Sequence, residues 1–245
     1  MLPLRKSRWR SRNDDLCAMT TLLALDTSSD NCSVALWRDG EVIDRRAHVP
    51  RGHTHYLMPM IDEVLAHAGV AMAELDALAY GHGPGSFTGV RIAAGVAQGL
   101  AWGCDRPLLG ISTLRALALA ALRDDGAERV LAALDARLGE LYVALYGAAE
   151  NGPEALLAPC VTAPEALVLT PAETSITMVG SGVALFDRLP ADIARQVTQR
   201  HEARAPQAAD MVRLAAADFA AGIATTPLEA VPVYLRDRVA HQKPA

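Results

Sequence analysis

Three short polar groups stand where this chain could do chemistry. Asp26-Thr27-Ser28 follows the apolar run 22–25, Asp135 follows 130–134, and Gly180-Ser181-Gly182 follows 176–179. A carboxylate beside hydroxyls at the end of a strand can meet a phosphate or a hydrated magnesium ion. The same residue types also make ordinary turns by bonding their own backbone. The matching places of Asp26 and Asp135 favour the chemical reading, because two-lobed nucleotide-binding folds put one such turn from each lobe on a shared cleft. All seven residues are candidates for nucleotide contact.

A fourth group is the loop 81–89, GHGPGSFTG, with four glycines. Glycine lets a backbone approach its neighbour closely, and such a loop feeding a helix can offer free N–H groups to a phosphate. The run is neither GxxxxGK[ST] nor a clean GxGxxG, and no lysine follows it, which disfavours a mononucleotide P-loop. Tight packing of a strand-to-helix connection is the preferred reading. His53 and His55 are spaced by two, so they point to different sides of a helix, and no HxxxH or HExxH occurs. No GxSxG elbow or Cys/His nucleophile pattern is present either. The residues assign no catalytic group and no metal site.

The elements that must position these groups repeat once. Ala24-Leu25-Asp26, seven residues, then Val34-Ala35-Leu36-Trp37 recurs as Ala133-Leu134-Asp135, seven residues, then Val143-Ala144-Leu145-Tyr146. Each copy is followed downstream by an apolar run ending in glycines, 75–85 and 176–182. Equal spacing and equal order point to two lobes built by duplication. In the first half, strands are expected at 22–26, 33–38 and 41–46, with a turn at Asp39-Gly40, and at 75–80. Helices are expected at about 55–68, with Pro59 in its first turn or kinking it, and at about 90–103. Ser112 or Thr113 should cap a helix reaching about Arg123. In the second half come a hairpin over 130–146, Pro- and Ala-rich connections with one short helix over 150–175, a strand at 176–179 and a helix at 210–221. The division is a tail 1–19, a lobe 20–109 and a lobe 110–245, whose terminal segment can pack back on the first.

At 245 residues the chain can bury a full core, and with 51% hydrophobic but 4% aromatic residues that core must consist mainly of Ala, Leu and Val. Four scattered cysteines without a CxxC pair argue for reduced thiols in the cytoplasm. No apolar stretch has the ~18–20 residues of a membrane helix. Residues 1–18 carry five basic and two acidic residues with no periodicity, a disordered tail or an extension ahead of a start at Met19. The remaining body holds 18 basic and 26 acidic residues, a formal charge of −8, and is poorly suited to grip a phosphate backbone by itself. Any RNA affinity is expected in the tail, or else in a patch that folding assembles from residues such as Arg115, Arg123, Arg236 and Arg238. On the helix after the glycine loop, Gly95, Gly99 and Gly103 recur every four residues and form one ridge. An interior helix glycine costs about 1 kcal/mol relative to Ala. Something therefore approaches that ridge closely, either a helix of the same lobe or another subunit.

With LLALDTSS at 22–29, HTHYLMPMIDEVL at 53–65, GPGSFTGVRIAAGVAQGLA at 83–101, GISTLRALA at 110–118, LDARLGELYVALY at 134–146 and YLRDRVA at 234–240, the chain resembles the TsaB (YeaZ) family over nearly its whole body. The departures are the basic extension and His55, where relatives more often carry an acidic or polar residue. The resemblance implies the duplicated actin-like and Hsp70-like ATPase (ASKHA) fold, an α/β fold of two lobes with mixed sheets flanked by helices. It further implies a non-catalytic subunit of the system that makes threonylcarbamoyladenosine beside the tRNA anticodon, paired with the transferase TsaD and joined by TsaE. A homodimer forms when the chain is alone, tRNA is met through the complex, and ATP or ADP is accommodated at the partner interface without being required by this chain. The implied contact residues are Leu57, Met60, Ile61 and Val64 on the first helix and Phe87, Arg91, Ile92, Gly95, Val96, Gly99 and Gly103 on the second. An ATP-dependent phosphotransferase of the same fold, or a metallopeptidase-like hydrolase, is the alternative.

Overall fold

The computed structural model describes residues 20–150, 152–170 and 175–236, and within them two five-stranded sheets carry one topology. The first comprises β1 (Thr21–Asp26), β2 (Asn31–Arg38), β3 (Glu41–His48), β4 (Ala77–Gly83) and β5 (Leu108–Ser112), in the order β3-β2-β1-β4-β5. The second comprises β6 (Arg129–Asp135), β7 (Leu141–Ala149), β8 (Gly152–Thr162), β9 (Ile176–Val179) and β10 (Val197–His201), in the order β8-β7-β6-β9-β10. Each is an antiparallel meander of three strands continued by two parallel ones. The duplication is thus present strand for strand.

The copies differ in their crossovers. In the first, α1 (His53–Ala68) and α2 (Phe87–Cys104) carry the chain between strands. In the second, the corresponding connections shrink to a 3-10 turn at Pro164–Ala166, and to a 3-10 stretch at Ser181–Arg188 followed by α4 (Ala191–Gln196). The apolar face of α1, Leu57, Ile61 and Val64, packs with Ala93, Ala94 and Ala97 of α2 against Leu23, Leu25 and Val34. Each large aliphatic buried there contributes about 1.5–3 kcal/mol. The helices that follow the two sheets exchange places. Met211, Val212 and Ala215 of α5 (Ala208–Ala220) cover Leu22, Ala24 and Ala35 on the other face of the first sheet. Leu114, Leu117 and Ala121 of α3 (Thr113–Asp124) cover Val130 and Ala132 of the second. This exchange ties the lobes together.

A final segment straps the first lobe. Thr225 bridges Leu108, and Gln98 Nε2 donates to the carbonyls of Pro227 and Ala230 at 3.2 and 2.5 Å. Tyr80 Oη donates to Val231 O at 3.2 Å, and Val233 N to His82 O at 2.8 Å. Arg236 then pairs with Glu140 of the second lobe.

Several expectations need correction. Gly152–Thr162 of the segment 150–175 forms the strand β8, hidden in the sequence by Pro153 and Pro159; β8 is an edge strand, where a missing donor can face outward. The other edge strand of that sheet, β10, was not legible because VTQRH has no apolar face. α1 starts earlier than expected, at His53, so Pro59 sits inside the helix at the cost of one backbone bond. Gly81, His82 and Gly83 belong to β4 rather than to a loop. The equal spacing of the copies does not extend to register: Leu25 pairs with Val34, but Leu134 pairs with Tyr142. The second hairpin closes through a tight turn with Arg137, Leu138 and Gly139 all at positive φ. The expected tail 1–19 and Arg238 lie outside the described residues.

Candidate functional site

Asp26 ends β1 with its carboxylate wholly buried. Ser28 Oγ donates to its Oδ2 at 3.0 Å, while Oδ1 is buried without a partner. Burial pushes this carboxyl up to about 7, against the lowering effect of the Ser28 and Thr27 hydrogen bonds. β4 closes over it: a Cβ on Gly81 would fall far inside 3.0 Å of Oδ1. The glycine loop locks to the same turn. Thr27 Oγ1 donates to Gly89 O at 2.7 Å and Ser86 N donates to Ser28 O at 2.7 Å. Ser86 Oγ caps α2 by accepting from Gly89 N at 3.3 Å. At Gly89 a side chain would run into the Thr27 carbonyl. Gly81, Gly85 and Gly89 are thus pressed against the Asp26-Thr27-Ser28 turn. Asp26 and Thr27 do not face the cleft, which corrects their candidacy as nucleotide contacts.

The second lobe's turn is more open. Asp135 Oδ1 accepts from Arg137 N at 2.7 Å, and its Oδ2 lies 3.4 Å from Arg137 Nη1. Its backbone N–H donates to Ser181 Oγ at 3.0 Å. Gly180 and Gly182 are pressed against Ala133 and do not reach solvent. Between the lobes lies a cleft of about 1410 Å³ whose wall includes Ser28, Asp135, Ser181, Arg137, Arg204 and Arg236. Of the seven nucleotide candidates the structure brings Ser28, Asp135 and Ser181 to this cleft and puts Asp26, Thr27, Gly180 and Gly182 behind its wall. The Asp26 carboxyl, its pKa raised by burial, is sealed from it.

The glycine ridge has a different character. Gly95, Gly99 and Gly103 are exposed, and a Cβ on any of them would meet nothing within 4 Å among the described residues. Among the described residues no helix of this lobe approaches the ridge. At the start of α2, Phe87 is 52% exposed, with the Arg91 guanidinium 3.3 Å over its ring and Tyr234 of the strap 6.0 Å away. Ile92 and Val96 are half-buried against the core. Leu57, Ile61 and Val64 have no exposed surface and Met60 only 7%. These four are core residues, not contact residues, because the apolar stripe of α1 turns toward the sheet. Sequence reasoning missed the exposed Tyr56 and Met58 on α1 and Trp102, 67% exposed, beside Gly103. Large side chains at positions where the helical period calls for polar ones were the available signal.

His53 is buried at the head of α1, its Nδ1 without a partner, and burial lowers its pKa; His55 points to solvent. Among the described residues no three His, Cys, Asp or Glu side chains gather as metal ligands. Also among them, no helix is long and apolar enough to cross a membrane.

Comparison with known proteins decides the family. The family model described as TsaD, tRNA N6-adenosine threonylcarbamoyltransferase, matches residues 46–243. A protein of Escherichia coli, strain K12, named tRNA threonylcarbamoyladenosine biosynthesis protein TsaB is 42% identical over 228 residues, 91% of this chain and 97% of that one. The chain belongs to the TsaB family. A TsaB of Haemophilus influenzae is 39% identical over 91% of this chain and 96% of its own length. The solved structure of YeaZ from Pseudomonas aeruginosa superposes with a TM-score of 0.84 at 40% identity, covering 89% of this chain and all of that one. The two mixed sheets flanked by helices are thus the family's duplicated actin-like fold.

Proposed function

We propose that this chain is a non-catalytic subunit of the cytoplasmic machinery that makes threonylcarbamoyladenosine next to the tRNA anticodon, and that it works by pairing with TsaD. The observation that carries this reading is the exposed glycine ridge of α2, flanked by Phe87, Arg91 and Trp102, which no part of the described chain covers. A helix face without side chains admits another helix at unusually close range. The family's members in E. coli and H. influenzae are named for the biosynthesis of this modified nucleoside. The sealed Asp26 further supports a supporting rather than a chemical role. TsaE joins the pair, the isolated chain pairs with itself through the same face, and tRNA is engaged by the complex. The chain requires no cofactor of its own, and ATP or ADP is accommodated at the partner interface.

The test is reconstitution of tRNA modification from TsaD, TsaE and the enzyme that forms the carbamoyl-adenylate, with and without this chain. Modification that proceeds equally well without it would refute the reading. The inter-lobe cleft, with Ser28, Asp135 and Ser181 on its wall, favours one alternative, an ATP-dependent phosphotransferase. Calorimetry with ATP and Mg²⁺ separates the two: tight binding with hydrolysis by the isolated chain supports the enzyme.

A further inference from the structure

The strap ends on the wall of the inter-lobe cleft, where Val233, Tyr234 and Arg236 meet Glu140 and Leu138 of the second lobe. As far as Val233 it is tied to the first lobe by hydrogen bonds, the last running from Val233 N to His82 O. Beyond that residue it makes no further backbone hydrogen bond among the described residues, and two side-chain contacts anchor it. One is a cluster at the head of α2: the Tyr234 ring lies 6.0 Å from that of Phe87, and the Arg91 guanidinium rests against both, 3.3 Å over Phe87 and 5.3 Å from Tyr234. The other is the pairing of Arg236 with Glu140 across the cleft.

The two anchors differ in what lies behind them. Arg91 stands one turn before Gly95, on the same exposed row of α2. Among the described residues no carboxylate lies within ion-pair distance of it. A guanidinium resting on aromatic faces is held in orientation while its in-plane donors stay free, and that fork matches a carboxylate with two bonds at once. Glu140 belongs to the turn between β6 and β7, where Ala136 N donates to Glu140 O at 2.9 Å and Glu140 N to Arg137 O at 3.1 Å. Arg137 and Leu138 in this turn stand at φ 65° and 56°, a left-handed conformation that residues with side chains avoid. A turn under such strain persists only while its surroundings hold it. Arg236 is the strap's contribution to that hold.

We propose that the end of the strap is a latch across the cleft, keyed by Arg91. A partner on α2 that offers Arg91 a carboxylate pins Tyr234, and through it the Arg236–Glu140 pair that steadies the hairpin of the second lobe. Each anchor is a surface contact and weak by itself, so the strap's end passes between held and released states. The partner favours the held state by as much as its grip on Arg91 depends on the ring cluster. By linkage, a closed latch tightens the partner by the same factor. The identity of the partner as TsaD rests on the functional reading above; the latch does not.

The experiment follows amide hydrogen exchange in the full chain, dilute and alone, and then with TsaD. In the isolated chain Arg91→Ala and Tyr234→Ala, both at exposed side chains, should each speed exchange at Ala136 and Glu140 about threefold. Leu131, in the core of β6, reports global stability and should not change. Arg236→Gln should speed the same two amides, and adding Arg91→Ala to it should do nothing more, because the link is already cut. TsaD should slow Ala136 and Glu140 in wild type but not in Arg236→Gln. Pairing with TsaD should be weaker in Arg91→Glu than in Arg91→Gln by at least about threefold, since a facing carboxylate repels the reversed charge. Unchanged exchange at Ala136 and Glu140 in both alanine variants, or equal slowing by TsaD in wild type and Arg236→Gln, overturns the latch. Equal pairing of Arg91→Gln and Arg91→Glu overturns the carboxylate. Should TsaD fail to pair with the wild-type chain, the functional reading falls, and the comparison within the isolated chain still decides the latch.

Discussion

Replacing Gly95 and Gly99 together by Leu should stabilise the isolated chain and abolish its pairing. Among the described residues, a Cβ at either position meets nothing within 4 Å, so the new side chains find open space. Each glycine costs about 0.8–1 kcal/mol relative to Ala in a helix interior, and Leu is nearly as favourable as Ala. The double variant should therefore gain roughly 1.5 kcal/mol. In a chain of this size ~1 kcal/mol moves Tm by about 2–4 °C, so the melt should rise by about 3–6 °C. Against a partner the sign reverses. Two branched side chains forced into a close helix–helix contact cost about 1–3 kcal/mol each. At about 1.4 kcal/mol per tenfold, pairing weakens by roughly 30-fold or more. Melting must be followed at a concentration low enough for monomers, because pairing itself raises Tm. Light scattering and pull-down with TsaD report the pairing. A double variant that melts below wild type in dilute solution would show that the ridge is packed within the chain. One that melts higher yet pairs normally would put the partner surface elsewhere.

Two further predictions concern the turn beneath α2. The Asp26 carboxyl, raised by burial to about 7, keeps its proton in the folded chain while the unfolded chain releases it above about 4. Its contribution to stability is whole below the unfolded value and lost as pH rises to about 7, at most ~4 kcal/mol for a shift of about three units. Asp26→Asn should hold its denaturation midpoint between about pH 5 and about pH 8.5 better than wild type; parallel losses would refute the burial argument. Gly89→Ala drives a methyl into the Thr27 carbonyl, and since both partners are backbone, the head of α2 must lift from β1 at a cost of about 2–3 kcal/mol. Urea midpoints check this, and a change under ~0.5 kcal/mol would contradict the packing role of the loop.

What the sequence disclosed follows from where each signal is stored. The duplication was legible because strands buried on both faces, such as TLLALD and RVLAALD, are written as continuous apolar runs with an Asp at the end. β8 and β10 were not, because an edge strand needs neither an apolar face nor a full set of donors. The glycine ridge was legible as spacing. The outward contacts of α1 were misassigned because Leu57, Ile61 and Val64 mark only the side turned to the sheet, and their period says nothing of what lies on the other side. The sealing of Asp26 could not be read locally, since the residues around it, Gly81 of β4 and Met211 of α5, come from strands and helices far along the chain.

The two copies of the fold differ in the helical faces they present. Both keep their five strands, but only the first keeps long crossover helices, while the second has a 3-10 turn and the six-residue α4 in their place. A partner that recognises a helical face therefore has one lobe to choose. The glycine loop at the head of α2 gives that face its rigidity. Two of its amides, Ser86 N and Gly89 N, donate to Ser28 O and Ser86 Oγ, and its close approach to Thr27 fixes the helix at the end of β1. The strap fixes the other side through Gln98, and Arg236 ties it to the second lobe. A helix held at its head and along its flank loses little further freedom when a partner closes on the ridge, so more of the contact energy appears as affinity. Thr27 and Ser28, which the sequence offers to a nucleotide, thus serve in the folded chain to hold the head of α2.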